Sequence, residues 1–282
     1  MSTVSLLKYH GLGNDFLISL DPGALVGAGE DGEIDKELVQ RLCERHRGIG
    51  ADGLILARRA RSGGEIAMDL RNADGGRAET SGNGLRCFAL ALVDSGRVTS
   101  RTIRIETDGG VVTAVVGARP AGACADVEVS MGVVTVGPPA RPAPVLGATF
   151  EARQVGVGNP HLVLIGPSIE GIDIGSFGPA LEGAVPGGQN VEVVAPDGSG
   201  GLDLVVWERG AGLTEACGSG SCAAAAAARA SGLVADRVPV RNPGGTLVVG
   251  LSGSPAAPEA SLSGPACRVA RVELELEPGT FR

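Results

Sequence analysis

The sequence has few of the residues on which metal- and cofactor-dependent enzymes rely. Its lysines are Lys8 and Lys36, so candidates for a pyridoxal phosphate Schiff base are poor. It contains three histidines and no Cys-x-x-Cys pair, which argues against a zinc site. Neither a Walker-type phosphate loop nor a dinucleotide-binding fingerprint with its βαβ context is present. We therefore expect a protein that uses no cofactor and no metal.

Long apolar runs and an excess of positive charge are also missing. No run approaches the roughly 20 apolar residues of a membrane span, and the first eleven residues lack a signal-peptide core. A net charge of −8 without a basic stripe argues against nucleic acid or an anionic membrane as partner. Six cysteines in 282 residues do not indicate a disulfide framework. We expect a cytoplasmic monomer or homodimer that acts on a small-molecule substrate.

The most informative stretch starts with the apolar run 202–207 and passes through a loop to Cys217-Gly218-Ser219-Gly220. It ends in six alanines, 223–228, and alanine is the best helix former. The pattern predicts a strand, a loop and a helix with the Cys217 thiol at the helix N-terminus. Backbone N–H groups there bind anions and favour a thiolate. A buried structural cysteine would also fit, but the glycines flanking Ser219 open the backbone to a ligand.

The same pattern occurs earlier in the chain. Ser81 precedes a second glycine-opened apolar helix, and its position aligns with that of Cys217. Asn72 and Glu208 lie nine residues upstream of these two positions. Glycine pairs predict a hairpin downstream of each helix, and Gly-x-Gly-Asn turns lie far upstream, at 11–14 and 156–159. We interpret these four landmarks, in one order, as an internal duplication.

The duplication predicts an α+β fold with two homologous domains, each a curved, mainly antiparallel β-sheet or barrel wrapped around a central helix. Alanines on all sides of the second helix suit tight enclosure. The predicted limits are 1–122, completed by the C-terminal strand 268–282, for the first domain and 123–267 for the second. Segment 252–265, rich in Ser, Gly, Pro and Ala, is predicted to be an exposed, mobile loop.

Two opposed helix N-termini, which we expect to face a shared cleft, could bind one carboxylate and stabilise negative charge developing beside it. An acid–base group on each side could then remove and return a proton at the carbon that bears the carboxylate. The residues alone thus point to racemisation or epimerisation without a cofactor. Cys217 would act on one side, and Ser81 stands on the other.

At the level of motifs, the chain resembles the diaminopimelate epimerase family over nearly its whole length. Asn72-Ala73-Asp74-Gly75 and Glu208-Arg209-Gly210 favour this family over its proline-racemase-like cousins. The other matching motifs are Gly13-Asn14-Asp15-Phe16, Gly48-Ile49-Gly50-Ala51-Asp52-Gly53, Gly82-Asn83-Gly84-x-Arg86, Gly158-Asn159-Pro160-His161, Asn190-Val191 and Ala216-Cys217-Gly218-Ser219-Gly220. The resemblance implies a cofactor-independent bacterial isomerase that interconverts LL- and meso-diaminopimelate in lysine and cell-wall biosynthesis, with two cysteines as paired base and acid.

The resemblance also implies roles for single residues. Cys217 is one catalytic thiol, and Glu208 and His161 assist at the reacting centre. The reacting carboxylate is held by Gly82, Asn83, Gly218 and Ser219. The remaining substrate contacts are Asn14, Asn72, Asn159, Asn190, Glu208 and Arg209, of which Arg209 suits bidentate capture of the distal carboxylate. Taken singly, such an asparagine more often caps a loop and such a histidine more often packs in the core.

Two positions depart from the family pattern. Gly53 stands where some members have a substrate-contacting glutamine, and Ser81 stands where the family has its second catalytic cysteine. A serine hydroxyl is a poor general base near neutral pH. Cys87 lies roughly 240° further around the helix, so it is no obvious substitute. The alternatives are a deliberately replaced cysteine, a natural epimerase of weak activity, a paralogue with one-base elimination chemistry, and a protein that only binds an amino acid.

Overall fold

The computed structural model describes residues 2–26, 32–78, 81–118, 122–140 and 150–276. The chain forms two compact units, Met1–Val129 with Pro265–Arg282 and Ser130–Gly264. The limits predicted from the sequence, 122 and 267, lie a few residues from these boundaries. No helix among the described residues is long and apolar enough to cross a membrane.

The first unit is a closed ring of strands. Its strands are β1 (Ser2–Gly11), β2 (Asn14–Ser19), β3 (Gly53–Arg58), β4 (Ile66–Asn72), the short β5 (Arg77–Ala78), β6 (Thr102–Thr107), β7 (Gly110–Val116), the first part of β8 (Cys124–Val133) and the last part of β17 (Ala257–Leu276). They pair in the order β17-β1-β2-β3-β4-β6-β7-β8, and β8 pairs with β17 to close the ring. The pairs β2–β3 and β4–β6 are parallel. The pairs β1–β17, β1–β2, β3–β4, β4–β5, β6–β7 and β7–β8 are antiparallel.

One helix fills the first ring. Helix α1 (Lys36–Cys43) lies outside it, capped by Asp35 as its sequence predicts. Helix α2 (Gly82–Asp94) lies inside, and its residues are buried from Gly82 to Leu92. It packs on β1, β2, β4 and β7. A helix that is apolar on all sides needs such enclosure, since any exposed face would leave large apolar side chains in water.

The second unit repeats this plan. Its strands are β9 (Thr135–Val136), β10 (Glu151–Gly156), β11 (Pro160–Ile165), β12 (Asn190–Pro196), β13 (Leu202–Glu208), the short β14 (Gly212–Leu213), β15 (Arg237–Asn242), β16 (Gly245–Ser254) and the first part of β17. They pair in the order β9-β10-β11-β12-β13-β15-β16-β17. The parallel pairs are β11–β12 and β13–β15, at the positions that match the first unit.

The central helix of the second unit is made almost entirely of alanine. Helix α4 (Gly218–Ala230) packs on strands β9–β13, β15 and β16. A second, short helix of this unit is α3 (Gly178–Glu182). All six alanines from 223 to 228 are 0% exposed. Small side chains let the surrounding strands approach the helix closely on every side, as the sequence predicts. The two domains with a central helix each confirm the predicted fold class.

The prediction for segment 252–265 is wrong. Instead of a mobile loop, it forms the end of β16, a tight turn and the start of β17, with Ser252 paired to Glu259 and Ser254 to Ala257. Leu262 in this segment is 0% exposed. The Gly- and Pro-rich composition indicated a turn correctly, but the turn occupies only two residues because strand pairing outweighs composition.

The end of β17 pairs with β1, from His10–Cys267 to Ser2–Leu276. The chain therefore begins and ends the first unit with neighbouring strands. Cys267 also forms a disulfide with Cys124 on β8. The sequence gives no signal for this bond, since 143 residues separate the two cysteines. The four other cysteines, Cys43, Cys87, Cys217 and Cys222, are buried and are not joined in disulfides.

Candidate active site

Cys217 lies at the N-terminus of α4, as its sequence predicts. Its backbone is extended and its sulfur caps the helix, accepting a hydrogen bond from the Gly220 N–H at 3.3 Å. The hydroxyl of Ser219 lies 3.6 Å from the same sulfur. Gly218 is buried at the first helical position. The turn therefore offers a thiol and backbone N–H groups to one point, which is the arrangement that binds and stabilises an anion.

The ionisation of Cys217 differs from the expectation. Burial raises the pKa of the thiol well above its usual value, and the carboxylates of Glu208 and Glu192 raise it further. Hydrogen bonds from Ser219 and Gly220 act in the opposite direction and are the smaller effects. The predicted thiolate is therefore wrong for this structure. The helix N-terminus does favour the anion, but desolvation and two nearby carboxylates outweigh it.

Glu208 ends β13 and accepts a hydrogen bond from this thiol. Burial raises the pKa of Glu208, while hydrogen bonds from Thr214 and from Cys217 lower it. The short contact with the Thr214 hydroxyl fixes one carboxylate oxygen. The hydrogen bond from the thiol places Glu208 where a carboxylate can exchange a proton with Cys217.

His161 and Asn190 lie beside Glu208 because three neighbouring strands are in register. His161 on β11 pairs with Asn190 on β12, and Trp207 on β13 pairs with Val191. Val191 and Val193 point into the apolar cluster on the other face of the sheet. The alternation of a strand then directs Asn190 and Glu192 to the face that carries His161.

His161 is 0% exposed and hydrogen-bonded through both ring nitrogens. Nδ1 lies 2.6 Å from Oε1 of Glu192, and Nε2 lies 2.9 Å from Oδ1 of Asn159. Asn159 thus contacts a predicted site residue directly, rather than only capping its turn. Glu192, which was not predicted as a site residue, is the one charged residue in strand Asn190–Pro196 and is fully buried.

The side chain of Asn190 is hydrogen-bonded to the backbone of Arg209. The Arg209 N–H donates to Oδ1 of Asn190 at 2.9 Å, and the Asn190 amide donates to the Pro160 carbonyl. The Arg209 guanidinium is exposed and donates one hydrogen bond to the Gly187 carbonyl. Its remaining N–H groups can reach a carboxylate, which suits the predicted role at a distal carboxylate.

Asn242 is a second residue that the sequence analysis missed. Its Oδ1 accepts a hydrogen bond from the Cys217 N–H, and its amide contacts the Ser221 hydroxyl. Ser221 in turn donates to the Cys217 carbonyl at 2.8 Å. The backbone on both sides of the thiol is therefore fixed from β15. The available signal in the sequence was an asparagine directly before the Pro243-Gly244-Gly245 turn.

In the first unit, Ser81 takes the structural position that Cys217 takes in the second. Its backbone is extended, it caps α2, and its Oγ accepts a hydrogen bond from the Gly84 N–H at 3.1 Å. Cys87 cannot replace the missing thiol, because it is 0% exposed inside the ring and burial raises its pKa to about 12. The first unit has the helix N-terminus of the predicted site with a hydroxyl in place of the thiol.

A chain of hydrogen bonds holds the predicted contacts of the first unit. The Asn83 amide donates to Oδ1 of Asn14, and the Asn14 amide donates to Asp52. Buried Arg86 fixes the other end, donating to Oδ1 of Asn83 at 2.7 Å and to the Gly82 carbonyl. Asn14, Gly82 and Asn83 are therefore brought together, as the motifs predict.

Beneath this chain lies an ion cluster that stabilises the Asn14 turn. Asp15 is bound by Lys8 at 2.9 Å and by Arg45 at 2.8 Å, and Arg45 also binds Asp52. Burial opposes ionisation of Asp15, but hydrogen bonds from Arg45 and Lys8 hold its pKa below the usual value. Asp52 is thereby kept in place to orient Asn14.

Asn72 and Gly53 lie opposite each other at the end of the β3–β4 pair. Asn72 is exposed, and its backbone closes a turn with Gly75 and Gly76. At Gly53, a Cβ would lie only 2.7 Å from the Arg71 carbonyl. The glutamine found here in some relatives would therefore require a backbone shift. No group of histidine, cysteine and acidic side chains that could hold a metal is present among the described residues.

Two solved structures share this architecture. A phenazine biosynthesis protein from Bacillus anthracis superposes with a TM-score of 0.75 at 14% identity, covering 98% of this chain and all of that one. A hydroxyproline epimerase from Agrobacterium vitis gives 0.73 at 18%, covering 97% of this chain and 91% of that one. At these identities the likeness concerns the fold alone. The class is thus the two-domain fold with a helix inside each barrel, in which a hydroxyproline epimerase also occurs.

Sequence comparison identifies the family. The family model described as diaminopimelate epimerase matches residues 6–136 and 153–269. A diaminopimelate epimerase of Synechocystis sp. is 35% identical over 291 residues, covering 97% of this chain and 99% of that protein. One from Desulfitobacterium hafniense is 36% identical over 263 residues, covering 87% and 90%. The chain belongs to the diaminopimelate epimerase family, and it is an isomerase.

Proposed function

We propose that this isomerase interconverts LL-2,6- and meso-2,6-diaminopimelate without a cofactor, in the synthesis of lysine and of the peptidoglycan precursor. The observation that carries the proposal is the capping thiol of Cys217, hydrogen-bonded to the half-buried carboxylate of Glu208 at a helix N-terminus. A single acid–base group beside an anion-binding turn is what α-proton transfer next to a carboxylate requires.

In the proposed reaction the bond between the α-carbon and its hydrogen breaks, and the proton passes to one acid–base group. The electron pair remains on the α-carbon and its carboxylate. The backbone N–H groups of the helix-opening turns, 82–84 and 218–220, stabilise that charge. A solvent-derived proton delivered on the opposite side, where Ser81 stands, inverts the configuration. Cys217 exchanges protons with the substrate on one side, while Glu208 accepts and returns the thiol proton.

The remaining predicted site residues have positioning and binding roles in this proposal. Asn14, Asn72 and Asn83 act from the first unit, and Asn159 and Asn190 from the second. Arg209 takes the distal carboxylate, since its guanidinium is exposed beside Asn190. Ser81 stands in the place of the second thiol, and we propose that this limits turnover rather than binding. A cytoplasmic monomer or homodimer is part of the same proposal.

Solvent deuterium exchange at the α-carbon tests the proposal. The protein is incubated in deuterated water with LL- and, separately, with meso-diaminopimelate, and label and configuration are analysed together. An epimerase incorporates deuterium into the inverted product from both substrates. Label in one isomer without inversion would indicate one-base chemistry, and no label from a protein that binds the ligand would indicate binding alone. Either result contradicts the proposed function.

A further inference from the structure

Glu192 is a fully buried carboxylate that has no role in the reaction as proposed above. Its Oε1 lies 2.6 Å from Nδ1 of His161, and both side chains are 0% exposed. A Cβ at Gly220 would lie 2.8 Å from this oxygen and 3.2 Å from the sulfur of Cys217. Glu192 is therefore a neighbour of the first turn of α4, with one glycine between it and the thiol.

With the Asn159 oxygen facing the ring, the hydrogen-bond donors show how many protons the pair holds. Each ring nitrogen of His161 faces an oxygen, Oε1 of Glu192 and Oδ1 of Asn159. A neutral imidazole has only one N–H, so it cannot donate to both. Either His161 is an imidazolium beside a carboxylate, or Glu192 is protonated and donates to Nδ1. Both forms hold two protons and carry no net charge.

The same proton count explains how the carboxylate of Glu192 can be buried beside His161. Desolvating an unpaired charge is costly, and Oε2 of Glu192 has no hydrogen-bond partner among the described residues. Three ionisable groups face this point from the packed elements, His161 on β11, Glu208 on β13 and Cys217 on α4. A lone negative charge on Glu192 would oppose ionisation of both Glu208 and Cys217. Pairing with a proton on His161 cancels it.

We infer that Glu192 is a positioning residue of the epimerase centre, which shares a second proton with the His161 ring and fixes that ring against Asn159. This inference rests on the proposed function. Without Glu192, His161 would be buried with one N–H and would be free to turn or to rebind Asn159 through the other face of its amide. The hydrogen-bond geometry between His161 and Asn159, and with it the centre, would then no longer be fixed.

Nitrogen NMR of the histidine rings combined with kinetics tests the inference. His161 is the one fully buried histidine among the chain's three, so its signals are readily identified. Near neutral pH we expect a far-downfield, exchange-protected proton on Nδ1 and a protonated Nε2. In Glu192→Gln the downfield proton is lost, and kcat falls about 100-fold with a smaller change in KM. Glu151→Gln, beside the other end of α4, is the matched control and should keep both the downfield proton and the kcat of the unaltered protein.

Each of the other outcomes shows whether the two-proton pair, the positioning role or the proposed function is wrong. If the unaltered protein shows a single protonated ring nitrogen on His161 and no downfield proton, the two-proton pair is wrong, whether or not Glu192→Gln folds. If the downfield proton is lost but kcat is unchanged, the positioning role is wrong. If neither the protein nor its Ser81→Cys variant exchanges the α-proton, while the NMR signature is intact, the proposed function fails and the buried pair stands.

Discussion

The N–H of Gly220 donates a hydrogen bond to the sulfur of Cys217 at 3.3 Å. In the first unit the Gly84 N–H does the same to Ser81 Oγ at 3.1 Å. Each helix is thus capped by the side chain placed for chemistry. A cap accepts hydrogen bonds, so this geometry favours an anion on the capping atom, whereas burial opposes one. The balance between these effects decides when Cys217 can act as a base.

Alkylation of Cys217 measures that balance. Because burial and the carboxylates of Glu208 and Glu192 raise its pKa, we expect slow alkylation at pH 7 and a rate that increases with pH beyond the range of an ordinary cysteine, whose pKa is about 8.5. Glu208→Gln removes one of the charges, so its thiol should titrate at lower pH and react faster at pH 8. Rates are followed by peptide mapping with iodoacetamide.

Two controls accompany this measurement. Glu151→Gln should leave the rate at Cys217 unchanged, because Glu151 lies at the C-terminal end of α4 beside Ser231. Bound diaminopimelate should protect the thiol. Fast alkylation of Cys217 at pH 7 would show that the helix N-terminus outweighs desolvation, contrary to the raised pKa.

Arg209 tests how the distal end of the substrate is recognised. If its exposed guanidinium binds the distal carboxylate, Arg209→Ala should weaken diaminopimelate binding by about 1.5–3 kcal/mol, the range for a hydrogen bond to a charged group. Alanine has no distal carboxylate, so its weaker binding should hardly change. Calorimetric titration with both ligands gives the comparison.

The control for Arg209 is Arg241→Ala. Arg241 is an exposed arginine of the same unit, and it forms an ion pair with Asp203 at 2.9 Å. The Arg241→Ala variant should bind diaminopimelate and alanine as the unaltered protein does. Equal losses for diaminopimelate and alanine in Arg209→Ala would assign the arginine to the reacting end of the substrate, or to the structure of its loop.

The sequence was sufficient to predict the fold because the duplication carries most of the information. Two glycine-opened helices and two Gly-Gly hairpins, Thr107–Gly110 and Asn242–Gly245, occur where their motifs indicate. Composition misled for 252–265, since Ser, Gly and Pro there are compatible with long paired strands. Contacts distant in sequence left no local signal, and the Cys124–Cys267 disulfide is the clearest case.

For the candidate site, motifs predicted positions but not electrostatics. Cys217, Glu208 and His161 could be predicted because they belong to motifs. Glu192 could not, because whether a glutamate in a strand is buried depends on what packs over it. The raised pKa of Cys217 has the same origin, since its causes are burial and carboxylates from two other strands.

The alanines of α4 test the tight enclosure of the central helix. Ala225 is 0% exposed, and small side chains surround it on the helix. Ala225→Leu adds three carbon atoms where strands pack on all sides, so it should destabilise the protein by about 1–3 kcal/mol or prevent folding. Urea denaturation measures the change. Ala235→Leu, at an exposed position after the helix, is the control and should cost little.

Ser81→Cys tests the assignment of the second acid–base position. The cysteine would occupy the same cap, with its sulfur facing the Gly84 N–H as that of Cys217 faces Gly220. A thiol is far more acidic than a hydroxyl, and a well-placed acid–base group contributes about 10²–10⁴-fold. We expect LL-to-meso conversion to increase by that factor, measured by chiral separation, with little change in diaminopimelate affinity.

The matched variant is Ser95→Cys, which adds a thiol at the C-cap of the same helix and should change nothing. Cys217→Ser should abolish LL-to-meso conversion with or without Ser81→Cys, because the remaining group cannot both remove and return the proton on opposite sides. If Ser81→Cys binds diaminopimelate but gains no turnover, a missing thiol is not what limits the protein. The site would then have diverged at further positions.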